Sequence, residues 1–336
     1  MSAIEVQPLI QKGAMAIESE NLVKSYSLGL FRRRGVTALN NVTFNVPQGQ
    51  IFGLLGPNGA GKTTFIKVLL GIIRKTGGYA KMLGCPAGSL SGRKLVGYLP
   101  EQLRVPRHLT GLTALEYFGN LSNISTAEIK QKRDRLLELV GLSSRAKDRV
   151  TTYSKGMQQR LGLAQAMLHE PKLLILDEPT DGLDPRARAE VRSIIPALRD
   201  QGATIFLNSH ILQEVELICD HVAILDRGVL RYCGSVKNIG EFVNQQVRQK
   251  TGIELTVEVM GNGDQVNAVF SGEPAADVKT LGPGNYECHL NLSGQDGVDQ
   301  LVDKIRAADL SLIRLSRRQI TLEDAFLSII ESNQTQ

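Results

Sequence analysis

Gly56-Pro57-Asn58-Gly59-Ala60-Gly61-Lys62-Thr63-Thr64 fits the pattern G-x-x-x-x-G-K-[ST], with Gly56, Gly61, Lys62 and Thr63 in the four fixed places. The residues before it, Ile51 to Leu55, form an apolar run that reads as a buried strand, and Phe65 to Ile73 read as a helix. Strand, loop and helix in this order are what a phosphate-binding loop requires. Glycines at 56, 59 and 61 let the backbone curl until several N–H groups face one anion, and the helix start adds its partial positive charge. Lys62 is expected to reach the β- and γ-phosphates of a nucleotide, and the Thr63 hydroxyl to ligate Mg²⁺.

Upstream, Met15 to Tyr26 and Val36 to Val46 read as two strands joined by a loop that holds Arg32, Arg33 and Arg34. The arginine cluster suits a solvated loop more than a contact with lipid head groups or nucleic acid. Tyr26 either fills the sheet edge or offers a flat platform to adenine, since stacking of a base on an aromatic ring contributes about 1–3 kcal/mol. Val36 is expected to close the other side of the base.

Downstream, Gly77 to Leu83 and Lys94 to Leu99 read as strands, the second running into Pro100-Glu101-Gln102. A helical region follows from about Leu112 to Leu142, in which Ala127 to Val140 has a charged outer face and Thr126 is expected to cap the start. Tyr153-Ser154-Lys155-Gly156-Met157-Gln158 opens a further helix through Met167, with Ser154 as N-cap and the helix start as a second anion site. Leu173 to Glu178 is an apolar strand ending in two acids, the pattern of a buried parallel strand that delivers carboxylates to the ligand edge of a sheet. Asp177 would hold Mg²⁺ through its water shell and Glu178 would polarise the attacking water. Gly182-Leu183-Asp184-Pro185 begins the next helix, Ala203 to Leu207 the next strand, and His210 at its carboxyl end points at the nucleotide crevice.

Composition sets wider bounds. A chain of 336 residues with 42% hydrophobic content suits two ordinary globular domains. A membrane-spanning helix needs about 18 or more apolar residues, and the best run, Val68 to Ile73, falls far short and contains Gly71. Residues 1 to 14 read as a flexible extension without the features of a signal peptide, so a cytoplasmic location is expected. Cys85, Cys219, Cys233 and Cys288 lack C-x-x-C spacing, which suits reduced thiols. The net charge of +5 is mixed along the chain and points only weakly to an anionic partner.

The phosphate loop, Tyr153 to Gln158, LLILDEPT, GLDP and Ser209-His210 together resemble the ATP-binding cassette family, over about residues 15 to 235. The resemblance implies an α/β nucleotide-binding domain with a mixed sheet core and a helical lobe from about Leu103 to Met167. It further implies two copies packed head to tail with two ATP molecules between them. Gly56 to Thr64 of one copy would then hold the triphosphate, and Ser154, Gly156 and Gln158 of the other would face its γ-phosphate. Asp184 would link the two sites and His210 would steady the γ-phosphate and the attacking water. Two features depart from the family pattern. The LSGGQ motif reads Tyr153-Ser154-Lys155-Gly156-Met157, with Gln158 one place late, and the switch loop offers Glu101 where most members have glutamine, with Gln102 next. Either of the last two could sense Mg²⁺ and a membrane partner. YSKGMQQR and GYLPE resemble the ATPase subunits of the export branch, which implies a separate permease, a place on the cytoplasmic membrane face and no nucleic-acid partner. A soluble cassette ATPase acting on ribosomes or nucleic acid is the alternative.

Residues 236 to 252 read as a linker and 253 to 336 as a small α+β domain. Glu254 to Met260 and Tyr286 to Leu292 alternate as half-buried strands, Val298, Leu301, Val302 and Ile305 make a helical stripe, and Leu310 to Leu315 a further strand. Thr321 caps a last helix. Cys288 and His289, adjacent in a strand, would point to opposite faces.

Overall fold

The computed structural model describes residues 14–27, 35–239, 253–271, 277–292, 294–317 and 321–331. The Arg32–Arg34 cluster, residues 1–13 of the N-terminal extension and most of the linker lie outside the described residues. The chain divides into two compact units, with the boundary between Lys237 and Asn238.

The first unit holds two sheets. Strands β1 (Met15–Tyr26) and β2 (Val36–Pro47) pair antiparallel, and β4 (Gly77–Met82) and the short β5 (Cys85–Pro86) extend the sheet in the order β2-β1-β4-β5. The second sheet has six strands. Its order is β10 (Val229–Ser235), β9 (His221–Asp226), β3 (Ile51–Leu55), β8 (Thr204–Asn208), β7 (Leu173–Asp177) and β6 (Val96–Leu99). All neighbours run parallel except β10, which folds back on β9. Every residue of β3, β7 and β8 is buried. That is why these strands read as continuous apolar runs without alternation: a central parallel sheet is covered on both faces.

Between the sheets, Phe44 of β2 lies 5.7 Å from Phe52 of β3 and 5.0 Å from Phe65, measured between ring centroids. Phe206 of β8 completes the group, 6.0 Å from both Phe52 and Phe65. Phe65 belongs to helix α1 (Lys62–Leu69), so this aromatic cluster anchors the helix that follows the phosphate loop. The helix starts three residues earlier than its apolar pattern suggests and stops before Gly71, whose φ of 72° a helix cannot accommodate.

After a short helix α2 (Leu90–Arg93) and β6, the helical lobe is formed by α3 (Gly111–Leu121), α4 (Thr126–Leu139) and α5 (Lys155–Met167). The expected single helical region is thus two helices broken at Asn123, which takes a φ of 57°. Ser125, not Thr126, caps α4: its hydroxyl accepts the Glu128 N–H at 3.3 Å, and Thr126 is already inside the helix. Helix α6 (Pro185–Asp200) follows β7, and α7 (Leu212–Ile218) follows β8.

The second unit runs β11 (Ile253–Met260), α8 (Gly263–Phe270), β12 (Asp277–Gly282), β13 (Asn285–Leu292), α9 (Gly294–Ala307), β14 (Ser311–Arg317) and α10 (Leu322–Glu331). Its sheet is antiparallel throughout, in the order β12-β13-β11-β14. A β-α-β-β-α-β chain with this order is the ferredoxin-like arrangement. Leu255, Val257 and Val259 of β11 and Cys288, Leu290 and Leu292 of β13 meet Val266, Phe270, Leu301 and Ile305 of the helices in one core. Cys288 is in that core, whereas His289 lies on the opposite face against Thr256 and Glu287. Val302 is only half-buried, so the helical stripe narrows to Val298, Leu301 and Ile305. Helix α8 and strand β12 were not expected from the sequence.

Candidate functional site

Strand β3 ends where the phosphate loop begins, and three glycines shape the loop. Gly56, Gly59 and Gly61 take φ values of 155°, 82° and 105°. A Cβ on Gly56 would sit 2.3 Å from the Leu225 carbonyl oxygen, and one on Gly61 2.4 Å from that of Ala38. No other residue type fits either place, because backbone cannot yield as a flexible side chain can. Pro57 is half-buried, Asn58 and Gly59 are exposed, and Ala60 is buried. Thr63 and Thr64, half-buried, lie in the first turn of α1, whose leading N–H groups have no intrahelical acceptor.

Lys62 is buried, and its Nζ donates to the Gly56 carbonyl at 2.6 Å and the Pro57 carbonyl at 3.3 Å. Burial lowers its pKa from the usual lysine range, while the negative charges of Glu178 and Asp177 pull the other way. The lysine and both acids therefore share one electrostatic site, although more than a hundred residues separate them.

The acids arrive on β7, next to β8 in the sheet. Asp177 is buried, and its Oδ1 accepts from the Asn208 amide Nδ2 at 2.5 Å. The Tyr98 hydroxyl of β6 donates to Asp177 Oδ2 at 3.5 Å, and burial with the nearby Asp177 charge raises the tyrosine pKa to about 12. Glu178 turns sharply out of the strand with a φ of 53°, its N–H donating to the Asn208 carbonyl at 2.9 Å. Its Oε2 accepts the His210 backbone N–H at 3.2 Å and lies 2.7 Å from His210 Nδ1. With a carboxylate as acceptor, Nδ1 carries the proton. Burial raises the Glu178 pKa above the ordinary carboxylate range, opposed by the histidine contacts and by Lys62. A carboxylate held so is a better proton acceptor than one in water.

Asn208 and Tyr98 escaped the sequence reading. Asn208 left a signal, as an amide directly after the apolar Ile205, Phe206 and Leu207 at the carboxyl end of a strand aimed at a ligand edge. Its Oδ1 is buried without a hydrogen-bond partner. That orphan acceptor beside Asp177 pairs an amide oxygen with a carboxylate, oxygen donors of the kind a hard divalent cation prefers.

A second group of residues lies at the starts of α5 and α6. The Ser154 hydroxyl accepts the Met157 N–H at 3.2 Å, and the Asp184 carboxylate accepts the Ala187 N–H at 2.9 Å, so each caps its helix. Gly156 is forced by packing, since a Cβ there would meet the Ala187 Cβ at 2.7 Å. The Gln158 amide turns back to donate to the Tyr153 carbonyl at 3.1 Å. In the switch loop Glu101 and Gln102 are both exposed. The buried Gln159 side chain of α5 donates to the Glu101 carbonyl at 3.5 Å.

Tyr26 is 39% exposed, and the Lys24 ammonium lies 4.7 Å from its ring centroid. A base stacked on the ring takes the opposite face or displaces Lys24. Tyr26 pairs directly with Val36 in the β1–β2 register. Directly opposed side chains share a sheet face, so Val36 lies beside the Tyr26 ring on the same side of the sheet.

A phosphate loop joined to a parallel sheet, with a buried lysine and a strand-end carboxylate held on a histidine, defines a P-loop ATPase. Comparison with known proteins gives the family. The profile of the family described as ABC transporter matches residues 39–181. An uncharacterised ABC transporter ATP-binding protein of Nostoc sp. is 46% identical over 88% of this chain and 91% of its own length. One from Synechocystis sp. is 39% identical over 97% and 87%. The bacitracin transport ATP-binding protein of Bacillus licheniformis is 34% identical over 94% and 97%. A solved ATP-binding subunit of an ABC transporter superposes with a TM-score of 0.59 at 30% identity, over 69% of this chain and 92% of that one. A dimeric ATP-binding cassette in a post-hydrolysis state, 22% identical with a TM-score of 0.58 over 65% and 98%, shares the fold. The chain belongs to the ATP-binding proteins of the ABC transporter family.

Proposed function

We propose that this chain is the ATP-hydrolysing subunit of a membrane exporter, working as a head-to-tail pair on a separate permease at the cytoplasmic face of the membrane. The observation that carries the hydrolytic part is the Glu178–His210 contact of 2.7 Å beside the buried Lys62. Export is supported by a relative whose name specifies it, a Nod factor export ATP-binding protein of Rhizobium sp., 34% identical over 87% of this chain, and transport by the bacitracin transport protein. No helix among the described residues is long and apolar enough to cross a membrane.

In this reading the phosphate-loop N–H groups and Lys62 hold the β- and γ-phosphates, and Glu178 takes a proton from the attacking water. His210 fixes the Glu178 carboxylate through its ring and its backbone N–H. Thr63 and Asp177, with Glu101 or Gln102 from the switch loop, would hold Mg²⁺, which neutralises phosphate charge when bound. Ser154 and Gly156 of the second copy would close over the γ-phosphate, Asp184 would meet its counterpart's site, and closure and reopening would drive the permease.

Glu178→Gln tests both parts. It is expected to keep ATP binding while lowering hydrolysis roughly 10²–10⁴-fold, the range for one general base. The tagged variant, pulled from detergent-solubilised membranes with ATP, is expected to bring down a polytopic membrane protein in near-equal amount. Wild-type turnover would refute the role of Glu178, and recovery of ribosomes or DNA without a membrane protein would refute the exporter reading.

A further inference from the structure

Glu178 is the point where the chain leaves β7 in a left-handed conformation, and the loop 178–184 that follows ends in the Asp184 cap of α6. Within the loop the Asp181 N–H reaches the Glu178 carbonyl at 3.2 Å and the Leu183 N–H reaches the Thr180 carbonyl at 3.3 Å. These are single bonds in a turn. A second fastening comes from α7. Thr180 and Glu214 are both buried, and the Thr180 hydroxyl donates to Glu214 Oε2 at 2.5 Å. The other carboxylate oxygen, Oε1, lies 3.4 Å from Nε of Arg188 on α6, and Arg188 Nη2 donates to the Leu183 carbonyl at 3.3 Å.

We propose that Glu214 is a positioning residue for ATP hydrolysis, which ties α7 to the loop of Glu178 and so holds the general base and the Asp184 turn in one geometry. Two pairs of residues make the tie. Glu178 and Thr180 are two apart on the loop, and His210 and Glu214 are four apart across the start of α7. The contacts Glu178–His210 and Thr180–Glu214 therefore fix the orientation of loop to helix where one contact would leave a pivot. Arg188 bridges the same carboxylate, by an ion pair, to the carbonyl of Leu183, the residue before Asp184. A buried carboxylate is held here by a neutral donor and one cation, and loss of either partner leaves it under-satisfied. The inference rests on the reading of Glu178 as the general base.

The test is steady-state ATPase kinetics of the full-length protein. Thr180→Val removes the hydroxyl at nearly constant shape and is expected to lower kcat about tenfold, the scale of one hydrogen bond to a charged group. The KM for ATP should remain within about twofold, because no nucleotide contact is touched. Glu214→Gln keeps an acceptor for Thr180 and is expected to retain more of the rate than Glu214→Ala. The double variant Thr180→Val/Glu214→Ala should be no slower than Glu214→Ala alone, as expected for partners in one bond. Thr180→Ser, which restores the hydroxyl on a smaller side chain, should recover most of kcat and guards against a general packing defect. An unchanged kcat in Thr180→Val, fully additive losses in the double variant, or a kcat in Thr180→Ser as low as in Thr180→Val would overturn the proposal. Wild-type hydrolysis by Glu178→Gln, run in parallel, would instead remove the general-base reading on which it rests.

Discussion

Replacing Phe65 with leucine tests whether the buried aromatic cluster is what seats the phosphate-loop helix. Phe65 is fully buried and faces Phe44 at 5.0 Å and Phe206 at 6.0 Å, the first ring stacked and the second tilted. Each such ring pair contributes about 0.5–1.5 kcal/mol beyond its area burial, and truncating a buried phenylalanine to alanine costs about 3–5 kcal/mol in all. Leucine refills part of the space but forms neither ring pair, so the expected loss is about 2–3 kcal/mol, a 30- to 150-fold change in the unfolding equilibrium. The assay is urea denaturation in which far-UV circular dichroism and residual ATPase activity are followed together. The second measure assigns the shift to the first unit, which matters because a two-unit chain need not unfold in one step. Tyr117→Leu is the control: that ring also has an aromatic neighbour, Phe118 at 5.3 Å, but is 42% exposed. Surface changes of this kind stay within about 0.5 kcal/mol. If Phe65→Leu shifts the activity-linked transition no more than Tyr117→Leu does, the rings do not hold α1 and the reasoning from packing to site is wrong.

Two further outcomes follow. Burial lowers the pKa of His169, whose neutral ring donates through Nε2 to the Val96 carbonyl at 3.1 Å, so protonation opposes the fold. Stability is full above the unfolded histidine value near 6.5 and falls as pH drops through it toward the lowered folded value, by at most about 1.4 kcal/mol per pH unit for one proton. His221 acts in the same direction. His169→Gln is therefore expected to narrow, but not abolish, the gap between urea midpoints at neutral and mildly acid pH, and an unchanged gap would exclude His169 as a contributor. At the nucleotide end, Tyr26→Ala should weaken ATP binding by about 1–3 kcal/mol and Tyr26→Phe should keep it, with inorganic triphosphate binding unaffected by either. Equal weakening of ATP and triphosphate by Tyr26→Ala would remove the adenine platform.

What could be seen in the sequence tracks how local its cause is. Gly56, Gly61 and Lys62 are legible as one motif within nine residues of chain, although the carbonyls that exclude a Cβ at the two glycines belong to Leu225 and Ala38, and Ser154, Asp184 and Thr321 declare themselves as caps because a cap acts over three residues. The start of α4 was misplaced by one because two hydroxyls, Ser125 and Thr126, stand side by side. The deciding clue was Glu128, three residues after Ser125, the spacing of a capping box. Helix α8 was missed because it has eight residues and only Val266, Val269 and Phe270 buried, too few to show a period. Strand β12 was missed as an edge strand with its side chains largely exposed. Thr180, Arg188 and Glu214 carry no local pattern, since 34 residues separate the ends of a bond that exists only once β7 and β8 lie side by side. Asn208 falls between, visible as an amide at the end of an apolar run but assigned its purpose by the neighbour it meets.

The bonds from Lys62 to the Gly56 and Pro57 carbonyls use two of the ammonium's three donors and leave the third. The charge is thereby fixed in place by the loop's own main chain. An anion that took the remaining donor would meet a side chain whose rotamers are already restricted, so the cost of ordering a lysine, about 1.5–2 kcal/mol, would not fall on binding.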